Sequence, residues 1–158
     1  MKHERKVIWS EGMFLRPQHF QQHERYLEYY IHARNMAAEP YYWGFKALEI
    51  DQSLLAIGKF SLLDGNGLLP DGSPFSFSAA SPGPEPKGFI EGAVDDILYL
   101  ALPLKRSGLK EVDFDDQEHS LARYRVTDSE VYDCKSIGGE PAELQIGSPR
   151  FRLLLGRE

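Results

Sequence analysis

An antiparallel β-sandwich with one long N-terminal helix packed on it, a mainly β fold, is what this 158-residue chain predicts. Three observations carry the expectation. Residues 17–38 alone repeat their apolar side chains at helical spacing, the segments after Pro40 alternate by two or are short apolar runs, and Pro, Gly, Asp and Asn recur between them. The whole of 1–158 reads as a single domain, with an arm at 1–16, a helix at 17–38 and a β-sandwich at 41–155.

The arm comes first. Residues 6–22 read KVIWSEGMFLRPQHFQQ, in which Trp9, Met13, Phe14, Leu15 and Phe20 alternate with polar residues at no single period. A run that fits neither a strand nor a helix is an irregular lead-in. Pro17 marks the helix start, because its missing N–H is no loss at the first helical position and it holds Arg16 extended. The helix places Phe20, Leu27, Ile31 and Ala38 near one face, widened by Tyr26, Tyr29 and Tyr30, and Pro40 ends it by about Ala38. Such a helix is expected to pack one face on a sheet. Its tyrosine side either meets a second surface or forms a solvated edge.

After Pro40 the run YYWGFKALEIDQ alternates and predicts a first long strand. Residues 54–63 (LLAIGKFSLL) predict a second, and 67–77 a short strand, a turn and another short strand. In the turn, Pro70 presets φ, Asp71 suits the next position and Gly72 takes the place where φ turns positive. Asp64, Gly65, Asn66 and Gly67 predict a tighter reversal just before it. Residues 78–88, with three prolines, predict an exposed loop. Residues 96–104 (DILYLALPL) are the most continuous apolar run and predict a core strand buried on both faces. The polar stretch 105–120 predicts a solvated loop, and 122–132, 142–146 and 150–155 predict further strands. The last of these runs nearly to the final residue, which suggests a chain trimmed from a longer protein.

Composition excludes several classes. A net charge of -6 and a pI near 5.4 argue against a phosphate-binding surface, so no nucleic-acid partner is expected. A lone cysteine, Cys134, forms no internal disulfide, which fits a reducing compartment and a cytoplasmic chain; in a strand-like run it reads as a small buried hydrophobe. Neither the short N-terminal run at Val7, Ile8 and Trp9 nor residues 97–104 supplies a signal core or a membrane span. No direct membrane contact is expected.

Candidate chemistry is sparse. His19 and His23 stand four apart, as zinc helices arrange them, but Glu24 follows the second histidine and Leu27 occupies the next ligand position. Asp64 to Gly67 open like a calcium loop, yet Leu68 and Leu69 break it, leaving a hairpin turn. The acids Asp113, Asp115, Asp116 and Glu118 read as a solvated cluster. No hydrolase, phosphate-loop or dinucleotide motif occurs, so no catalytic residue, metal or cofactor is assigned and no enzyme is expected. A metal-dependent or carbohydrate-binding domain using His19, His23 and the tyrosines is the alternative.

The arm carries a more specific pattern. Trp9, Glu11, Gly12, Met13, Leu15, Pro17, Gln18, His19, Phe20 and Gln21 match W-x-E-G-(L/M)-x-L-x-P-Q-H-F-Q, and LLPDGSPF at 68–75 is similar to L-P-D-G-T-P-F with Ser73 for threonine. On these residues the chain resembles the N-terminal region of the TssK family of type VI secretion baseplate subunits. The later segments match only in general pattern. The resemblance implies a shoulder domain like that of siphophage receptor-binding proteins, in a homotrimer that docks onto the wedge proteins TssF and TssG in the cytoplasm, at a baseplate on the inner membrane. A helical neck and C-terminal head would lie outside this chain. Within the arm, Trp9, Pro17 and Phe20 are expected to anchor it, while Met13, Phe14, Leu15, Arg16, Gln18 and His19 are expected to meet the partner.

Overall fold

The computed structural model describes residues 4–81, 83–89, 96–106, 108–117, 120–133, 135 and 139–156. Cys134 and Glu118 lie outside the described residues. The fold is mainly β, with one long helix and several antiparallel sheets. Contacts group it into two compact units, one within Met1–Asp51 and Leu62–Gly83, the other within Gln52–Ser61 and Pro84–Glu158.

In the first unit, α1 spans Pro17–Ala38 as the proline signals require, with Arg16 extended before Pro17 and Pro40 two residues past its end. β1 (Gly44–Ile50), β3 (Leu62–Leu68) and β4 (Pro74–Phe77) form an antiparallel sheet in the order β1-β3-β4. The expected reversal at residues 64–67 is instead the middle of the central strand β3. Gly67 is there for close approach rather than for a turn. Gly67 pairs with Phe45 on one side and Phe75 on the other. Side chains on strands two apart are normally separated by about 10 Å, yet these two rings meet edge-on at 5.1 Å above Gly67. A Cβ on Gly67 would run into the Gly44 carbonyl and come within 2.8 Å of the Phe75 ring. Phe77 lies over Gly65 at ordinary van der Waals distance and continues the cluster, 5.4 Å from Phe75. Among the described residues, Leu62, Phe75, Phe77 and Val7 are the buried apolar side chains of this unit.

The turn before β4 forms as its residues dictate. The Gly72 N–H donates to the Leu69 carbonyl at 2.9 Å, Gly72 has φ +84°, and Asp71 accepts from the Ser73 N–H. A Cβ at Gly72 would collide with the Tyr42 hydroxyl and the His32 ring, which share a 2.6 Å hydrogen bond. This places His32 of α1 at the turn. Burial, and then the charge of Asp71, push the Tyr42 hydroxyl above its usual pKa. The apolar stripe of α1, by contrast, is not covered: Phe20, Leu27 and Ile31 are exposed, and no residue of α1 is fully buried. On the tyrosine side, Tyr26 stacks on Tyr30, with the Arg34 guanidinium 5.6 Å above the Tyr30 ring.

In the second unit, the strand expected at 54–63 is broken into a short helix, α2 (Gln52–Ala56), and a strand, β2 (Lys59–Phe60), that pairs with β5 (Lys87–Gly88). Gly58 with φ +79° makes the break. β5 also gives the proline-rich loop a paired end. The apolar run at 96–104 supplies β6 (Leu98–Ala101), paired with β10 (Arg152–Leu155) in a two-stranded sheet. It is not buried on both faces, since Tyr99, Ile97 and Leu104 are exposed; burial belongs to its partner, in Leu153 and Leu155. Hydrophobicity marked the strand but not which side of the pair faced inward.

The expected loop at 105–120 contains β7 (Val112–Asp113), which pairs in parallel with the start of β8 (Tyr124–Val131). β8 then pairs along its length with β9 (Ala142–Pro149). The acidic cluster is not simply solvated. Asp113 and Asp116 hold the Arg150 guanidinium at 3.1 and 2.8 Å, and the Arg150 and Asp113 side chains are only 9% and 10% exposed. Burial pushes the Asp113 carboxyl up, but hydrogen bonds from Ser120 and from the Asp115 and Gln117 N–H groups, with the Arg150 charge, outweigh it and leave the pKa lowered. A lowered folded pKa means that the unfolded chain binds the proton first as pH falls. The contribution of Asp113 is therefore complete above the ordinary carboxylate range and lost as pH falls through the lowered value. Melting temperature followed downward from about pH 5 should fall less steeply in Asp113→Asn than in the parent; equal slopes would show that this carboxyl does not titrate differently on folding.

Candidate docking site

The arm before α1 is built from the helix outward. Val7 is buried and fixes its start, and Gln22 of α1 donates to the Arg5 carbonyl at 2.8 Å. Trp9 lies against the first turns of the helix, its ring 6.3 Å from His19, 6.4 Å from Phe20 and 6.0 Å from His23, the last contact edge-on. The chain then reverses: the Met13 N–H donates to the Ser10 carbonyl at 3.3 Å, and Gly12 takes φ +74°. At the end of the arm the Arg16 N–H donates to His19 Nδ1 at 2.9 Å. That contact makes Nδ1 an acceptor and leaves the ring proton of a neutral His19 on Nε2. His19 thus closes the helix N-terminus in the place a glutamate often takes.

The expected site residues separate along this path. Trp9, His19 and Phe20 are brought together with His23. Phe14 stands 88% exposed at the bend, followed by exposed Leu15, Arg16, Pro17 and Gln18, while Met13 is half-buried. Trp9 itself keeps 46% of its surface exposed, and Phe20 is also largely open. The two histidines do share a side of the helix, but they flank Trp9 and one of them is committed to the cap. Among the described residues no third His, Cys, Asp or Glu joins them. Val7 and Gln22 complete the site and were not picked out from sequence, whereas His23 was, but as half of an incomplete metal pair rather than as a support for Trp9. The four-residue spacing of the histidines was the available signal, since it places both under one aromatic ring.

What the arrangement offers is a surface. An apolar loop tip of Phe14 and Leu15 with a guanidinium beside it is held out from a helix end, with enough backbone fixed by Val7, Trp9 and His19 that little ordering is left for a partner to impose. No described helix is long and apolar enough to cross a membrane.

Comparison with known proteins gives the chain its family. Residues 19–158 match the family described as bacterial type VI secretion, VC_A0110, EvfL, ImpJ, VasE. The chain is 43% identical over 153 residues to the type VI secretion system baseplate component TssK1 of Pseudomonas aeruginosa, covering 97% of this chain and 34% of that protein. A crystal structure of TssK superposes with a TM-score of 0.90 at 43% identity, over 98% of this chain and 35% of the other. The TssK-TssF-TssG baseplate subcomplex solved by cryo-electron microscopy contains a chain of the same fold, with a TM-score of 0.84 at 22% identity over all of this chain and 52% of that one. This chain spans about a third of the length of TssK1. The match over 140 of its 158 residues, counted from 19 to 158, means that the chain belongs to the VasE and ImpJ family of bacterial type VI secretion proteins.

Proposed function

We propose that residues 1–158 form the N-terminal shoulder domain of a TssK-like baseplate subunit, a non-enzymatic assembly module that works in the bacterial cytoplasm as part of a homotrimer. Its arm docks the trimer onto a TssF–TssG wedge. The observation that carries this reading is the bend, where Phe14 and Leu15 are presented to solvent beside Arg16 on a backbone pinned at both ends. An apolar group so exposed does nothing for the free chain and becomes favourable only when covered. Arg16 adds a planar fork that pairs with carboxylates and stacks on rings.

The test separates docking from folding. Phe14→Ala and Arg16→Ala should each leave the melting temperature within a degree or so of the parent, since exposed positions contribute roughly 0.5 kcal/mol or less. TssF–TssG capture should weaken at least about thirtyfold for Phe14→Ala, the equivalent of a hot spot near 2 kcal/mol. Undiminished capture in both variants would remove the bend from the interface. Unfolding of Phe14→Ala would instead make it part of the core.

A further inference from the structure

The hairpin of β8 and β9 has a feature that the docking arm does not explain. Strand β7 accompanies β8 only at Tyr124 and Arg125, so among the described residues the sheet from Val126 to Val131 is a two-stranded ribbon, with β9 as an edge from Ala142 to Gly147. Along β9 every residue from Ala142 to Gly147 is exposed, and of β8 beyond Arg125 only Val126 and Ser129 are half-buried. A two-stranded ribbon open on both faces is marginal in water by itself, and an unguarded edge offers free N–H and C=O groups to another strand.

The register sorts its side chains. Val131, Ala142, Leu144 and Ile146 share one face with Thr127 and Ser129. Asp128, Glu130, Glu143 and Gln145 share the other. The three carboxylates make no ion pair among the described residues, and no residue of the ribbon itself, at 126–131 or 142–147, is basic. A strand added beside β9 would meet Ala142, Leu144 and Ile146 on one face and Glu143 and Gln145 on the other, with Asp128 and Glu130 one strand further across that face.

We propose that β9 is a strand-addition site for an extended segment of a partner protein in which apolar and basic residues alternate. The incoming apolar residues would lie beside Leu144 and Ile146, and the lysines or arginines beside Glu143, within reach of Glu130 across the ribbon. Charge complementarity selects this occupant over a second copy. A second β9 laid antiparallel beside this one would add a further Glu143, not a cation, to the face that already holds Asp128, Glu130 and Glu143. Backbone pairing supplies the affinity and the alternating side chains the selectivity. The proposal is independent of the role of the arm.

The probe is a synthetic peptide of about ten residues, the length of a long strand, alternating valine and lysine. Controls have the same composition in two blocks, or glutamate in place of lysine. With the 158-residue chain, the alternating basic peptide should bind, and amide exchange at 142–147 should slow by at least about tenfold, as it does when an open backbone becomes paired. Neither control should do so. The exposed double variant Glu130→Lys with Glu143→Lys should reverse the preference towards the glutamate peptide. Binding that ignores charge sign or residue order, protection that appears elsewhere, or no binding would each overturn the proposal. So would a dimer of the chain itself, if its 142–147 amides are already protected without peptide and lose that protection on dilution.

Discussion

Phe77→Ala is expected to lose about 3 to 5 kcal/mol of stability, the range for truncating a fully buried aromatic. The Phe77 side chain is 3% exposed and lies over Gly65 of the central strand, 5.4 Å from the Phe75 ring. Gly65 carries no side chain to fill the space the ring leaves, and only the Leu48 tip stands close to it there. Most of the cavity term should therefore remain, and the melting temperature of a chain this size should fall by roughly 10 °C or more. Phe77→Leu, which keeps most of the volume, should recover more than half of that loss. Chemical denaturation of the two variants beside the parent checks both statements, and a loss under about 1 kcal/mol for Phe77→Ala would mean that the phenylalanine cluster is not what holds this sheet.

Leu155→Ala is the second large effect, expected at about 2 to 5 kcal/mol. Leu155 is buried in β10, which is paired along its length with β6, and β10 supplies both Leu153 and Leu155 to the core of the second unit. The comparison with Phe77→Ala also tests the reading of residues 1–158 as one domain, because the two positions belong to different contact units. If the chain folds as one domain, each variant lowers a single melting transition followed by calorimetry, and the calorimetric and van't Hoff enthalpies agree. Two separated transitions, each moved by only one of the variants, would show two independently folding parts.

The arm shows how far a local pattern reaches. Pro17, Pro40 and the loss of period before residue 17 placed the boundaries of α1 at Pro17–Ala38, because proline acts through its own ring and N–H whatever surrounds it. Turn chemistry at Pro70, Asp71 and Gly72 was equally local, and so equally legible. The family pattern was legible for the same reason, being carried by a run of residues contiguous in the chain.

Sequence by itself thus determined the elements whose causes lie within a few residues: the long helix, its proline boundaries, the 69–73 turn and the mainly β character of the rest. The tertiary structure decided what depends on partners distant in the chain. Gly65 and Gly67 read as a turn from their neighbours, yet they lie in a central strand, where Phe45 and Phe75, respectively more than twenty residues and eight residues from Gly67, close over that glycine and Phe77 lies over Gly65. Asp113 and Asp116 read as solvated acids until Arg150 arrived from the far end of the chain. Phe20, Leu27 and Ile31 read as a buried stripe, but spacing reports only that residues share a face; whether that face is covered depends on which surface reaches it, and here the helix meets the hairpin turn through His32.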